Sequence, residues 1–401
     1  MLRAEATRLF RAGLVAADPI RAVAQALPGL PCPDLILSVG KAAVAMARAA
    51  LRHYGPTETL VVTNDENAAP LHGATVRASG HPVPDARGAA AAAHILHRLS
   101  RMQPGQHVLA LISGGGSALL PAPVAGVSLT DKATVNRLLL GSGAEISQMN
   151  LVRQQLSRLK GGGLVRAAAP AHVTALILSD VIGDDLRAIA SGPTVAPLGT
   201  RAEAAAILHT HHLWDALPAS VRAHLTAPEA LLPPLPPATN LLIGSNRTSV
   251  LAMAAAAAGA HVPDAPLVGD VADAALRIAA SGPGITLFGG ETTVVLKGRG
   301  LGGRNQELAL RLALLAEAQT WPAPWVFLSG GTDGRDGPTE AAGAIVDPGS
   351  LARMRAKGID PVARLSHNDS NPCLAASDDL LMTGGTGTNV ADLQVLIKGQ
   401  P

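Results

Sequence analysis

Six times along the chain an apolar run rich in β-branched residues stops at a short stretch of Gly, Ser, Asp or Asn. The runs are PDLILSVGK ending at Lys41, LALISGGGS ending at Ser117, TALILSDVIGDD ending at Asp185, NLLIGSN ending at Asn246, ITLFGGETT ending at Thr293 and WVFLSGGTDG ending at Gly334. Short continuous apolar runs bounded by Gly and followed by helical periodicity predict strands of parallel sheets buried on both faces. Helical patterns follow directly in KAAVAMARAALRHY from Lys41, NRTSVLAMAAAAAGA from Asn246 and GRNQELALRLALLAEA from Gly303. The amino ends of these helices therefore face the strand-end loops, where backbone N–H groups and the helix dipole favour an anion. The predicted class is α/β, and loops at the carboxyl ends of its strands are where open sheets bind ligands.

At 401 residues the chain exceeds the size at which one hydrophobic core keeps growing, so two domains are expected. LPPLPP at 232–237 can continue neither helix nor central strand, which divides the chain into an N-terminal α/β domain over 1–232 and a C-terminal one over 238–401. Apolar residues at 48% and charged residues at 15% describe a compact, folded chain. A net charge of +2 spread over interspersed residues, with 2% aromatics, offers neither the basic stripe nor the stacking platform of a nucleic-acid binder. Cys32 and Cys373 match no metal or redox spacing, which points to a reducing compartment. Charges at Arg3, Glu5, Arg8 and Arg11 break up any signal-peptide core, and no run is long enough to span a bilayer, so the expected location is the cytoplasm with no membrane partner.

The loop ISGGGSALL packs three glycines between Ser113 and Ser117. Without Cβ atoms, backbone amides can turn inward as a concave donor array for phosphate or carboxylate; an ordinary turn seldom needs three glycines. Lys41 lies beside the amino end of a helix, a repulsive choice for the macrodipole, so it is either a working cation or a lysine reaching into solvent. Arg304 and Asn305 open another helix, where a guanidinium is placed for a two-pronged grip on a carboxylate or phosphate. Asp333 and Asp336, in a Gly-rich turn, and Ser179, Asp180, Asp184 and Asp185, at another strand end, suit Mg²⁺ or plain turn formation equally. Gly298, Gly300 and Gly303 have GxGxxG spacing, but the next strand ends in Ser329 where a dinucleotide enzyme needs a ribose-binding acid. Neither GxxxxGK[ST] nor GxSxG is present.

Together ISGGGSALL, LSRLKGGGLV, LSDVIGDDLRAIASGPT, GGETTVVLKGRGLGGRNQELAL, GGTDGRDGPTEAAGA and TGTNV resemble, in order from about Ser38 onward, the glycerate 2-kinases with a MOFRL-type C-terminal region, many of which are labelled hydroxypyruvate reductases. The resemblance implies a Rossmann-like, doubly wound N-terminal sheet, a second α/β domain and an active site in the cleft between them. It implies ATP- and Mg²⁺-dependent phosphorylation of the 2-hydroxyl of D-glycerate. Lys41 of the GKA turn and Arg304 of GGRNQE match the family residues implicated in activity. Ser113, Gly114, Gly115, Gly116, Ser117, Glu291, Asn305 and Asn389 are expected to bind substrate or nucleotide, and Asp180 and Asp333 the metal. The family's GPTGTNV reads GGTGTNV here, which leaves Asn389 usable, and KGGR reads KGGG after Lys160, which removes a cation. The competing readings are an NAD(P)H-dependent hydroxypyruvate reductase, for which only the GxGxxG spacing speaks, and a non-catalytic sugar-acid sensor. The hydroxy-acid range, the nucleotide preference and the choice between monomer and homo-oligomer are left open.

Overall fold

The computed structural model describes residues 1–228 and 233–399. The chain forms two compact units, Pro19–Ile243 and the combination of Met1–Asp18 with Gly244–Pro401. The sequence division at 232–238 differs from this in two ways. Its first residue, Leu232, lies outside the described residues, and the edge strand after the prolines stays with the first sheet. The helix Leu2–Ala16 joins the later residues because its stripe Ala6, Leu9 and Phe10 buries into one cluster with Val250, Met253, Leu393 and Val395. An amphipathic stripe shows that a helix is covered, not by what.

In the Pro19–Ile243 unit, β1 (Leu35–Val39), β2 (Thr59–Asn64), β3 (Thr75–Ser79), β4 (His107–Ile112), β5 (His172–Leu178) and β6 (Ala238–Gly244) form one sheet in the order β3-β2-β1-β4-β5-β6. The pairings from β3 through β5 are parallel. Leu35, Leu37 and Val39 pack with Val108, Ala110 and Ile112 under the helix Ala86–Leu99, while Val61 packs with Ala43, Val44 and Ala47 on the other face. Helices on both faces of a sheet in this strand order make it doubly wound. Its order reverses between β1 and β4, so the crevice beyond their carboxyl ends is the place for a ligand. Helices within 129–226 bury Val135, Leu139, Val152, Leu156, Leu208 and Val221 in a cluster of their own.

The other unit carries β7 (Leu267–Asp270), β8 (Gly284–Thr293), β9 (Trp325–Gly331), β10 (Gly343–Val346), β11 (Leu380–Leu381) and β12 (Asp392–Lys398), in the order β11-β10-β9-β12-β8-β7. Only β7 and β8 pair in parallel; the other pairings are antiparallel. The parallel sheet expected from the runs ending at Thr293 and Gly334 is thus replaced by a mixed one. Continuous apolarity reports burial on both faces, and these strands have it: Phe327 and Leu396 face the helix Arg304–Ala318, Leu328 and Val395 the helix Leu2–Ala16. Strand direction leaves no trace in that pattern. Among the described residues no helix is long and apolar enough to cross a membrane.

Candidate active site

At the order reversal of the first sheet, the loops after β1 and β4 are stitched together. The Lys41 N–H donates to the Gly114 carbonyl at 2.9 Å, the Ala42 N–H to Ser113 Oγ at 3.1 Å, and the Ser113 N–H to the Val39 carbonyl at 2.9 Å. Gly115 has φ +83°, a left-handed conformation that side chains resist, and a Cβ there would lie 3.1 Å from the His81 ring and 3.3 Å from Lys41 Cγ. A Cβ on Gly114 would lie 2.3 Å from Asp180 Oδ2. The glycines therefore bring backbone, lysine, histidine and carboxylate into one cradle. Among the described residues none accepts from the N–H groups of Gly114, Gly116 or Ser117. No side chain caps the helix Ala43–Tyr54. Donors left open beside a cation make an anion site.

Burial pushes the Asp180 carboxyl above the usual carboxylate range, against the pull of backbone N–H groups, Gly115's among them, and of the Lys41 charge. Burial and the Lys41 charge hold His81 below the ordinary histidine value, with Glu66 opposing, so its imidazole is neutral at pH 7. His81, Lys41, Ser113 to Ser117 and Asp180 form one cluster. Histidine at 81 lies in an irregular segment whose sequence carries no periodic or motif signal.

The expected residues of the other unit form a network of a different kind. Arg304 Nε and Nη2 donate to Asp392 Oδ2 and Oδ1 at 2.6 and 3.1 Å, and Nη1 lies 2.9 Å from Glu291 Oε1. The guanidinium fork, expected to be open for a ligand, is thus closed on a carboxylate that is 0% exposed. Burial works against the Arg304 charge, but Asp392 and Glu291 more than offset it and hold the group above its ordinary value. Burial also raises the Asp392 carboxyl, with Arg304 opposing. Asp336 fills the amino end of the helix Arg304–Ala318: Oδ1 accepts from the Asn305 N–H at 3.1 Å and Oδ2 from the Gln306 N–H at 2.8 Å. The anion expected there is the protein's own carboxylate, which burial pushes up to about 6 against those N–H groups, with the Asp392 charge adding to the rise.

Asn305, expected as a ligand contact, is buried; its amide donates to Asp336 and its oxygen accepts from Ser329 Oγ. Asp333 is separated in role from Asp336, since its Oδ1 accepts from the Arg335 N–H at 3.1 Å in the turn. Asn389 Oδ1 accepts from the Ala391 N–H at 3.3 Å. Asp185 pairs with Arg187 at 2.9 Å. Among the described residues no three His, Cys, Asp or Glu side chains gather as a metal site. Asp392 was missed because the matched motif ends at Val390, although an acid opening an otherwise apolar strand is itself a signal.

The GxGxxG spacing has a packing explanation. Cβ atoms on Gly298 and Gly300 would lie 2.5 Å from the His367 carbonyl oxygen, and Asn368 Oδ1 accepts from the N–H groups of Lys297 and Gly298 at 2.6 and 3.1 Å. These amides serve the chain itself. At the end of β2, where a dinucleotide enzyme of this strand order keeps its ribose acid, Asp65 is tied to Arg87 at 2.6 Å.

Comparison with known proteins gives concordant findings. Residues 5–226 match the family model described as Domain of unknown function (DUF4147), and residues 284–392 match the MOFRL family. The chain is 37% identical to a glycerate 2-kinase of Pyrococcus horikoshii, with 97% of this chain and 96% of that protein covered. It is 40% identical to an Agrobacterium vitis protein that carries a provisional hydroxypyruvate reductase name, covering 98% of this chain and 93% of the relative. The crystal structure of a glycerate kinase from Thermotoga maritima superposes with a TM-score of 0.90 at 35% identity, covering 99% of each chain.

Proposed function

The chain belongs to the glycerate 2-kinase family with a MOFRL region, and from that premise we propose that it transfers the γ-phosphoryl group of ATP to the 2-hydroxyl of D-glycerate, giving 2-phosphoglycerate and ADP with Mg²⁺. The observation that carries this reading is the cradle at the β1/β4 reversal, where open amides of a glycine loop lie beside Lys41 and Asp180. Phosphoryl transfer asks for little else, because its transition state spreads negative charge over oxygens that need positioning and positive potential.

The amides of Gly114, Gly116 and Ser117 hold phosphate oxygens and the Lys41 ammonium meets the charge that grows on the transferring group. As the bond from the glycerate oxygen to phosphorus forms and the bond to the ADP oxygen breaks, the hydroxyl proton leaves. His81, neutral at the loop, is suited to take it. The donor set fits Mg²⁺, which accepts one or two carboxylates and fills its shell with water and substrate phosphate. Asp180 would hold the ion, with Asp333 as a second candidate. The bound ion neutralises phosphate charge. A substrate anion would reach the outer edge of the Arg304 guanidinium by displacing the exposed Glu291 from Nη1. Cys32 and Cys373, both free thiols, support a cytoplasmic location.

The reductase reading loses its one support, because Gly298 and Gly300 pack against residues 367–369 and Gly303 against the Asp336 carboxylate. Purified protein with Mg²⁺, D-glycerate and ATP should release ADP and form 2-phosphoglycerate, read by a coupled assay and phosphorus NMR. Turnover of hydroxypyruvate with NADH or NADPH, without ADP release from glycerate, would overturn the proposal.

A further inference from the structure

A cavity of about 160 Å³ in the Pro19–Ile243 unit is lined by Ser117, Leu129, Lys132, Arg153, Leu156 and Lys160, among others. Three of these are cations delivered by separate segments: Lys132 from the helix Leu129–Leu140, Arg153 from the helix Ile146–Gln155 and Lys160 from the turn before the helix Gly163–Ala168. The Lys132 ammonium nitrogen is buried and has no hydrogen-bond partner. Arg153 donates to two neutral amides, Asn136 Oδ1 at 2.9 Å and Asn150 Oδ1 at 3.4 Å. Lys160 Nζ donates to the Ser117 carbonyl at 2.9 Å, to Ser117 Oγ and to Ser191 Oγ at 3.5 Å. Among the described residues none of the three is in an ion pair.

This arrangement is costly as it stands. A buried cation without an anion recovers only part of its lost hydration from neutral acceptors, Lys132 recovers none, and three that face one cavity repel one another. Burial, and then the Arg153 charge, lowers the Lys132 ammonium to about 8, and burial, with the charges of Lys132 and Arg153, lowers Lys160 well below the ordinary lysine value, which is the cost that a bound anion would remove. The surrounding positions Val135, Leu139, Val152 and Leu156 belong to an apolar cluster, so leucine or methionine would serve stability better. A position that breaks a local rule without compensation within the chain calls for a ligand.

We propose that this cavity is a binding site for a phosphate-class dianion. Several positive charges, with the Ser117 hydroxyl among the lining groups, suit an oxyanion of charge two; a single carboxylate would leave buried positive charge unpaired. By the measure in which one water needs about 10–15 Å³, a cavity of about 160 Å³ has room for a phosphoryl group with several waters. The source is either free inorganic phosphate or the phosphoryl group of an ester. The inference does not rest on the kinase reading, since Lys132, Arg153 and Lys160 have no part there and only Ser117 lines both places.

Thermal unfolding at constant ionic strength tests it, with sodium phosphate, sodium chloride, ATP, 2-phosphoglycerate and D-glycerate as separate additions to the parent, Lys132→Met and Arg153→Gln. Without additions Lys132→Met should melt at or above the parent, because an unpaired buried charge is gone. Phosphate should raise the parent's melting temperature saturably and chloride should not, and either variant should need at least about tenfold more phosphate for half the rise, the loss of one charge-assisted contact. A response to inorganic phosphate identifies the free anion; one confined to ATP or 2-phosphoglycerate identifies an ester. Equal responses of parent and both variants to every phosphate compound would overturn the site, as would a larger Lys132-dependent rise with D-glycerate than with phosphate.

Discussion

The two units use one local grammar, an apolar strand, a glycine-rich loop and a helix, and arrive at opposite electrostatic outcomes. After β1 and β4 Asp180 takes the Gly115 N–H, but among the described residues the N–H groups of Gly114, Gly116 and Ser117 and the end of the helix Ala43–Tyr54 have no carboxylate, and Lys41 adds positive potential. After β8 and β9 the corresponding helix end is filled by Asp336, and the arginine beside it is closed on Asp392. What separates a ligand cradle from an internal cap is whether the carboxylates that the chain returns leave amides open. In the second unit the turn after β9 and the start of β12 each return one. The first region therefore keeps donors open, whereas in the second the chain's own carboxylates occupy them.

Breaking the ion pair in the second region should have the largest effect. Arg304→Met leaves Asp392, 0% exposed, without its partner, and unpaired buried charges of this kind cost about 3–5 kcal/mol at pH 7, measured by urea unfolding. The Asp392 carboxyl is already raised by burial and would rise further. A raised carboxyl contributes stability below its unfolded value and loses it as pH rises through the folded one, so the deficit should shrink on acidification. An active-site arginine without this structural duty would instead lose activity at unchanged stability.

Lys41→Ala probes the first region, and the expected signs reverse. Removing one preorganised charge donor should lower kcat by about a hundredfold or more in steady-state assays with ATP and D-glycerate. The melting temperature should move little, because Lys41 is only half-buried in a cradle whose stitching is made by backbone and Ser113. A stability loss as large as that of Arg304→Met, with kcat preserved, would abolish the contrast between the units.

How much of this was legible in the sequence divides along the same line. All six apolar runs became strands, but the run NLLIGSN, expected to be buried on both faces, is an edge strand with Leu241 and Leu242 exposed; the three glycines of 114–116 marked the open loop, because a missing Cβ is a local property. The antiparallel course of β8, β9 and β12, the transfer of the Leu2–Ala16 helix to the later residues and the partners of Arg304 were not legible. Each depends on which distant segment returns to a site, Asp392 lying 88 positions from Arg304. Lys132 and Arg153 escaped for the same reason, since a lysine on an amphipathic helix reads as solvated until the packing shows what covers it. Arg304 was singled out correctly as unusual, but its sequence position could not distinguish a group that grips a ligand from one that is itself gripped.

The smallest effect separates a filled helix end from an open one by pH. Asp336 has a carboxyl raised from 3.8 to about 6, first by burial and in part by the charge of Asp392, against the helix N–H groups that favour its ionised form. A raised folded value means that this group stabilises the fold below about 3.8 and that the contribution is lost as pH rises through about 6. The shift sets a ceiling of about 3 kcal/mol, and roughly half of that is expected once the surroundings relax around the charge. Asp336→Asn keeps an oxygen to accept from the Asn305 or Gln306 N–H but cannot ionise. Its stability relative to the parent should therefore increase between pH 4 and pH 7, read from urea midpoints at each pH. The increase should be absent from Asp180→Asn in the presence of Mg²⁺ and ATP if, as proposed, the bound ion holds that carboxylate ionised. A difference between parent and Asp336→Asn that stays flat with pH would mean that the helix end is as open as the cradle after β4, and the distinction between the two regions would fall.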